Sequence, residues 1–390
     1  MRHEGTGGAT LIWTEGAETH SALWRSEAGV PLPRRIVAAD DTLSADAAYR
    51  LACEGTALLW RGDFQNARQL LQAMARRLER KPRRKRGAGS GTLPAASAEV
   101  FHRHRMAQAQ RARILGMLLV PVEAGHVIPL RRAPDVCKAC QEAFGAADAP
   151  YVLSLRELLG VIGAHEWRRK GVPVRALAAS IHPYHGVFSP VRGEYVQLVA
   201  EAPLPDALKA KSLAFDIGTG TGVLAAVLAR RGVAHVVATD MNERALACAR
   251  ENVERLGLAN TVEVCRADLF PPGHATLIVC NPPWLPGKPA SPLEHAIYDP
   301  DSSMLRGYLA GLADHLEAGG EGWLILSDLA EYLGLRSRRE LLGWIEQAGL
   351  KVLNRLDTRP THARAFDADD PLHAARSAEV TSLWRLGRAA

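Results

Sequence analysis

From about residue 173 onward, short apolar runs alternate with amphipathic stretches of roughly ten to fifteen residues. The apolar runs predict strands at 212–216, 235–239, 261–266, 275–280 and 322–327, and the amphipathic stretches predict helices at 191–202, 222–231, 243–256, 303–317 and 336–348. Such alternation is typical of a parallel, doubly wound α/β sheet. Two closing strands, 351–356 and 379–386, have no helix between them and predict an antiparallel hairpin.

The first 170 residues have a less regular pattern. Helical spacing of apolar residues runs through 47–78 with breaks at Gly55 and Gly62, and further helices are predicted near 98–118 and 153–170. Short strands are predicted at 120–122 and 127–130. We therefore expect residues 1–170 to be a mainly helical accessory or substrate-recognition region, followed by a second domain at 171–390. A stretch rich in Gly and Ser predicts a flexible linker at about 82–97.

The charged residues are unevenly distributed between the two halves of the chain, which bears on the partner of the first region. The net charge is +6, with 28 Lys and Arg against 18 Asp and Glu in residues 1–200, and 20 against 24 in residues 201–390. Eight of the eleven residues from Arg76 to Arg86 are basic. A basic accessory region favours a polyanionic partner such as RNA. The alternatives are an arginine-rich composition without function and a solvated basic tail.

Composition excludes several classes of protein. Hydrophobic residues make up 47% of the 390-residue chain, as in ordinary globular proteins. No apolar run approaches the ~20 residues that span a bilayer, and the N-terminus lacks a signal-peptide profile. The six cysteines have no framework spacing, so reduced thiols in the cytoplasm are expected. Cys137 and Cys140 form a lone Cys-x-x-Cys, and we expect no metal.

A glycine-rich segment is the first candidate for chemistry. Asp216, Gly218, Gly220 and Gly222 follow an apolar strand and precede a helix. Glycines allow a tight turn and let a ligand approach the backbone, and the following helix N-terminus presents oriented amides. A dinucleotide fingerprint would need a further glycine at position 223, which is Val223. The segment thus predicts a nucleotide-like cofactor of another kind.

A second acid follows the next predicted strand. Asp240 lies 24 residues after Asp216, at the position where a carboxylate accepts hydrogen bonds from the two ribose hydroxyls of a nucleotide. Met241, immediately after it, is a candidate for packing on an adenine ring.

The most specific segment is Asn281-Pro282-Pro283-Trp284, at the end of the fourth predicted strand. The side-chain oxygen of Asn281 and the carbonyl of Pro282 are two acceptors for the hydrogens of a planar nitrogen. Proline fixes the turn before the substrate arrives. Trp284 offers a flat face on which a base or amide can stack. The segment predicts chemistry on an amide or exocyclic amino nitrogen.

Together these segments resemble the class I S-adenosylmethionine-dependent methyltransferases, of the small-domain and HemK-like N-methyltransferase type. The resemblance covers about residues 183–390 and implies S-adenosyl-L-methionine as cofactor and a seven-stranded sheet with a terminal antiparallel hairpin. It implies that Asp216 faces the methionine amino group, that Asp268 and Leu269 contact the adenine, and that Asn281 adjoins the cofactor. Residues 186–195 are similar to the segment that covers the cofactor. The implied substrate-binding residues are Phe188, Arg192 and Trp284.

The substrate is less clearly indicated than the reaction. Release-factor methylases carry tyrosine, and many ribosomal-RNA methylases carry phenylalanine, where this chain has Trp284. The basic first half and the large indole face favour an RNA base as substrate. The alternatives are a protein glutamine, a small molecule, and a catalytically silent binding module.

Overall fold

A computed structural model of the chain describes residues 9–79, 97–191, 193–361 and 367–389. The chain divides into two compact units, Met1–Leu93 with Arg103–Glu166, and Pro94–His102 with Trp167–Ala390. Among the described residues, no helix is both long and apolar enough to cross a lipid bilayer. Arg192, most of the Arg76–Arg86 run and nearly all of the predicted linker lie outside the described residues.

Among the described residues of 1–170, the structure has six strands and five α-helices. The strands are β1 (Thr10–Glu15), β2 (Glu18–Trp24), β3 (Arg35–Ala39), β4 (Thr56–Trp60), β5 (Leu118–Val122) and β6 (Tyr151–Ser154). The helices are α1 (Ala45–Cys53), α2 (Phe64–Glu79), α3 (Ala98–Leu115), α4 (Cys137–Phe144) and α5 (Leu155–Lys170). The strands form one mixed sheet in the order β1-β2-β6-β5-β4-β3.

More of the described residues in 1–170 lie in helices than in strands, as expected, but the sequence did not predict the six-stranded sheet. Helices are present near 98–118 and 153–170 and at both ends of 47–78, but the middle of that last stretch, Thr56–Trp60, is strand β4 and not helix. Strands β4 and β6 are buried at every position, so their sequences show no alternation. A short apolar run without alternation cannot be distinguished from a buried helical segment by periodicity.

The second half of the chain has the expected α/β alternation. Its strands are β7 (Val172–Val174), β8 (Ala179–Ile181), β9 (Leu213–Ile217), β10 (His235–Asp240), β11 (Val262–Arg266), β12 (Ala275–Cys280), β13 (Leu285–Pro286), β14 (Tyr298–Asp299), β15 (Leu316–Ser327), β16 (Leu350–Thr358) and β17 (Thr381–Arg388). Its helices are α6 (Glu194–Glu201), α7 (Val223–Arg230), α8 (Glu243–Arg255), α9 (Ser303–His315), α10 (Leu329–Tyr332), α11 (Arg338–Gln347) and α12 (His373–Ala378).

Seven of these strands form the main sheet, in the order β11-β10-β9-β12-β15-β17-β16. Strands β11, β10, β9, β12 and β15 are parallel, and β17 is antiparallel to both its neighbours. The doubly wound sheet and its closing antiparallel hairpin are confirmed. From β9 the chain proceeds to β10 on one side and later returns to β12 on the other. The point where strand order reverses is where such sheets bind ligands.

Apolar helices cover both faces of this sheet. One core cluster joins the sheet to α6, α7 and α8, and includes Tyr195, Leu224 and Val253. The other joins it to α9 and α11, and includes Tyr308 and Ile345. Burial on both faces explains why the central strands read as continuous apolar runs.

Candidate active site

The glycine loop connects β9 to α7 at the carboxyl edge of the sheet. Gly218, Gly220 and Gly222 have φ of 70°, 55° and 80°, a region that L side chains rarely adopt. A Cβ on Gly218 would lie 2.6 Å from Cε of Met304, whereas a Cβ on Gly220 would meet no atom within 4 Å. Gly218 is thus constrained by packing as well as by φ. The space in front of Gly220 leaves its backbone open to a ligand.

Asp216 is buried beneath this loop. Its Oδ2 accepts hydrogen bonds from Oγ1 of Thr219 at 2.6 Å and from the amide of Ala225 at 3.0 Å. With 1% of its surface exposed, its pKa is raised by burial to about 6, despite those two hydrogen bonds. The acid therefore ties the loop to the first turn of α7. A cation placed beside it would favour its ionised form.

Asp240 ends β10 and lies next to the same loop. Its Oδ2 accepts a hydrogen bond from the amide of Gly220 at 3.1 Å, and its Oδ1 accepts one from the amide of Asn242 at 2.9 Å. Burial raises the pKa of this carboxyl group. Met241, next in sequence, is 58% exposed. The two acids therefore both contact the glycine loop, Asp216 from below and Asp240 from the neighbouring strand.

The residues after β11, Asp268 and Leu269, bring mainly backbone groups to the candidate site. Asp268 is exposed. Leu269 has a φ of 67°, and its carbonyl accepts a hydrogen bond from Oγ1 of Thr239 at 2.6 Å. Its side chain packs against the core, where its Cδ1 would lie 2.8 Å from a Cβ on Gly307 of α9. The Leu269 side chain therefore points into the core. Only the backbone of Leu269 lies at the carboxyl edge of the sheet, where a ligand could reach it.

The Asn-Pro-Pro-Trp turn follows β12 directly. Pro282 and Pro283 are buried, and Asn281 and Trp284 are half-buried. The indole Nε1 of Trp284 donates a hydrogen bond to Oδ1 of Asn281 at 2.8 Å. The Trp284 ring packs against the two core clusters that cover the faces of the main sheet. Asn281 and the glycine loop follow neighbouring strands, β12 and β9, on either side of the reversal point.

Two buried charged residues near the turn were missed by sequence reasoning. Arg336 is 3% exposed, and its Nη2 lies 3.5 Å from the carbonyl oxygen of Trp284. Burial lowers the pKa of its guanidinium. Asp299 accepts hydrogen bonds from the amides of Met304 and Leu305 at the start of α9. An acid shortly before a predicted helix start is a signal that could have revealed Asp299; nothing in the local sequence marks Arg336.

The segment before α6 is attached to α8 by polar contacts. Arg168 donates to Oε2 of Glu251 at 2.6 Å, and the hydroxyl of Tyr184 donates to the same oxygen. Burial alone would raise the pKa of Glu251, but these bonds and one from Arg255 lower it to about 2. Phe188 is half-buried and packs against the core.

Asn252, on the same helix, links that segment to the glycine loop. Its buried side chain accepts from the amide of His182 at 2.8 Å and donates to the carbonyl of Thr221 at 3.1 Å. Sequence reasoning did not identify this residue.

The donor set fits a nucleoside cofactor that carries positive charge. Buried carboxylates favour a cation, paired acceptors suit ribose hydroxyls, and Gly220 leaves room for close approach. Groups of three or more His, Cys, Asp or Glu side chains able to hold a metal do not occur within the described ranges. Asn281 adds an acceptor for a substrate N–H at the same edge.

Residues 179–335 match the family model for the methyltransferase small domain. The matched stretch contains the glycine loop, Asp240 and the Asn-Pro-Pro-Trp turn. This part of the chain is similar to the methyltransferase small domain. The recognition made from the sequence motifs is thereby confirmed.

The curated proteins similar to this chain include two methyltransferases. The release factor glutamine methyltransferase of Cereibacter sphaeroides is 36% identical over 161 residues, which are 37% of this chain and 55% of that protein. The tRNA1(Val) (adenine(37)-N6)-methyltransferase of Bacteroides thetaiotaomicron is 34% identical over 128 residues, which are 30% of this chain and 52% of that protein. The chain spans about half the length of these curated relatives.

A solved ribosomal protein L11 methylase from Lactobacillus delbrueckii subsp. bulgaricus has a TM-score of 0.35 and 15% identity, over 52% of this chain and 82% of that chain.

Proposed function

We propose that this chain is an S-adenosyl-L-methionine-dependent N-methyltransferase that acts on a planar amino or amide nitrogen of a macromolecule. The observation that carries the proposal is the position of Asn281. Its amide oxygen follows β12, the strand next to β9 and its glycine loop, at the carboxyl edge of the sheet. By their names, one of the relatives above methylates N6 of an adenine and the other methylates a glutamine, whose side chain also carries a planar nitrogen.

On the cofactor side, the glycine loop and two acids have separate tasks. Asp216 faces the positive amino group of the methionine part, Asp240 accepts hydrogen bonds from the ribose hydroxyls, and Met241, Asp268 and Leu269 border the adenine. The bound cofactor supplies an electrophilic methyl group on a sulfonium sulfur.

On the substrate side, two acceptors orient the nitrogen. Oδ1 of Asn281 and the carbonyl of Pro282 accept its hydrogens, so that the nitrogen lone pair points at the methyl group. With these acceptors holding the nitrogen, the cofactor held by the glycine loop and the two acids would supply the methyl group. The proton leaves the nitrogen after transfer, so this scheme needs no strong general base.

An RNA base is the substrate that we favour. The first 200 residues carry the excess of Lys and Arg, and the tRNA-modifying relative methylates an exocyclic amine according to its name. A protein glutamine is the second candidate, because the Cereibacter sphaeroides relative acts on a release factor glutamine by name. Phe188, Arg192 and Trp284 are the proposed substrate contacts, and no metal is required.

We further propose that the protein works in the cytoplasm. All six cysteines are free thiols, and three of them, Cys140, Cys248 and Cys280, are buried. Burial raises the pKa of each of these three thiols. Buried neutral thiols are compatible with a reducing compartment.

The class of substrate is tested by transfer of tritium from labelled S-adenosyl-L-methionine. The purified protein is added to fractionated lysate of a strain that lacks it, and label is measured in RNA, protein and small molecules. Label on an RNA base supports the favoured substrate, and label on a glutamine supports the second candidate. A protein that binds the cofactor yet labels no fraction is a binding module, and the proposal then fails.

The role of Asn281 is tested by replacing it with Ala. Turnover should fall by about 10²-fold or more, because the nitrogen loses an acceptor that positions it. Cofactor affinity, measured by calorimetry, should stay within about threefold, because the cofactor contacts lie mainly on the glycine loop and Asp240. Asn354, exposed on β16, is the matched control for Asn-to-Ala replacement. If Asn281→Ala turns over almost as fast as the parent, nitrogen is not the acceptor atom, and the methyl group would instead be assigned to an oxygen, sulfur or carbon of the substrate.

A further inference from the structure

The indole edge of Trp284 contacts Asn281, the first residue of the turn. Its Nε1 lies 2.8 Å from Oδ1 of Asn281, three residues earlier. The ring is half-buried and packs against the core clusters on both sides of the sheet. Since the core fixes the ring, it also fixes the direction of the indole N–H.

The chemistry of the indole sets the orientation of the asparagine amide. An indole N–H only donates, whereas an asparagine amide has an accepting oxygen at one end and a donating NH₂ at the other. Trp284 can therefore face only the oxygen of Asn281. In the reversed orientation two donors would face each other, and the NH₂ group would take the place of the acceptor that a substrate N–H needs.

The amide oxygen still has capacity for the substrate. It has two lone pairs, so the hydrogen bond from Trp284 leaves one for a substrate N–H. The backbone between the two residues consists of Pro282 and Pro283, both buried, which limits its freedom. The guanidinium of Arg336 lies 3.5 Å from the Trp284 carbonyl and adds a contact to the end of the turn.

We propose that Trp284 is a positioning residue, whose N–H holds the amide of Asn281 with its oxygen available to the substrate nitrogen. This inference rests on the proposed N-methyltransferase function and assigns Trp284 a task beyond stacking. Phenylalanine and tyrosine, the residues found at this place in the families that the motif resembles, present no donor of this fixed kind.

The kinetic test removes the donor and keeps the ring. Site-specific incorporation of 3-benzothienylalanine at position 284 replaces the indole N–H with sulfur at nearly constant shape, and Trp284→Phe removes it with a smaller ring. We expect kcat to fall about tenfold in both, because a lost hydrogen bond of about 1–1.5 kcal/mol corresponds to that factor. In the benzothienyl protein, which keeps the stacking face, the KM for substrate and the affinity for S-adenosyl-L-methionine should stay within about threefold.

The control for this exchange is Trp344, which packs at the edge of the core on α11. The same analogue there should leave kcat unchanged. If Trp284 acts only by stacking, the benzothienyl protein will match the parent in kcat, and the proposal is overturned.

A second readout does not depend on activity. The indole ¹⁵N–¹H resonance of Trp284 is identified by its loss in Trp284→Phe, and its proton shift reports the hydrogen bond. The resonance should move upfield in Asn281→Leu and stay near the parent position in Asn281→Asp, which keeps an acceptor. If the resonance has the same shift in the parent and in both variants, the hydrogen bond between Trp284 and Asn281 is absent in solution.

The two proposals can fail separately. A parent protein that transfers no methyl group to nitrogen overturns the proposed function and with it the catalytic part of this inference. If the parent is active and kcat does not change when the Trp284 N–H is removed, only the positioning role is overturned.

Discussion

At the scale of single residues, Asp240 has a structural role, in contacts with Gly220 and Asn242, and a proposed role in cofactor binding. Its carboxylate accepts the Gly220 and Asn242 amides, and in our proposal it also accepts the ribose hydroxyls. Asp240→Ala should weaken S-adenosyl-L-methionine binding by about 10- to 100-fold, measured by calorimetry, because charge-assisted hydrogen bonds are lost. Asp240→Asn keeps one acceptor and should lose less. Parent-like affinity in a folded Asp240→Ala protein would remove this residue from the site.

Asp216 makes stability depend on pH in a predictable direction. Burial raises its pKa to about 6 in the folded protein, above the value of about 3.9 in an unfolded chain. The fold therefore favours the protonated form. Its contribution to stability is fully present below pH of about 4 and is lost as the pH rises through about 6.

Asp216→Asn removes this titration and keeps an acceptor for Thr219 and Ala225. The advantage of the parent over the variant, measured as the free energy of urea unfolding, should shrink by about 1 kcal/mol between pH 5 and pH 7. The other unit is identical in the two proteins, so its contribution cancels. Parallel pH profiles would show that the pKa of Asp216 is not raised.

At the scale of elements, the glycine loop can be tested with a matched pair of substitutions, one in the loop and one after α7. Gly220 and Gly232 both have positive φ, 55° and 92°, and a Cβ on either would meet no atom within 4 Å. Ala at each position should therefore cost a similar 1–2 kcal/mol through backbone strain. Only Gly220 borders the proposed cofactor site.

We expect Gly220→Ala to weaken cofactor binding at least tenfold, because its methyl group would occupy the space through which the ligand approaches the backbone. Gly232→Ala should leave affinity unchanged at a similar loss of thermal stability. Calorimetry and thermal melts of both variants provide the measurements. Equal affinities would mean that the cofactor does not approach the loop at Gly220.

The secondary-structure elements show which parts of the fold the local sequence pattern could predict. The strands and helices from 212 onward were predicted to within a few residues in most cases, because each central strand is an apolar run bounded by turn residues. The pairs β7 with β8 and β13 with β14, and the short helices α10 and α12, were not predicted. They have two to six residues each, too few for a periodic pattern.

At the scale of the whole molecule, charge is the main feature that remains to be tested. Replacement of Arg83, Arg84, Lys85 and Arg86 with Ser should raise the KM for RNA and flatten its salt dependence, with saturated turnover little changed. Each lost phosphate contact should reduce the salt slope by about one unit.

The matched control removes four exposed cations from the same half of the chain. These are Arg50, Arg131, Lys138 and Arg156. The control has the same net charge as the test variant, so an equal effect in both would assign the KM change to net charge rather than to the basic run. Unchanged KM and salt slope in the test variant would remove the main support for an RNA substrate.

The sequence by itself determined the order of the main sheet's elements and most of the proposed cofactor site. Both depend on short-range signals: a buried strand, a glycine loop and a helix within about twenty residues, and acids directly after strands. The Asn-Pro-Pro-Trp turn was recognisable for the same reason, since its four residues are contiguous.

Only the tertiary structure decided what these residues contact. Arg336 reaches Trp284 across 52 positions, and Asn252 joins His182 to Thr221 across 70 and 31. The indole of Trp284 donates to Asn281 because the core holds its ring, and the Leu269 side chain turns inward because α9 packs there. Such contacts depend on how distant segments pack, and periodicity within one segment carries no information about them.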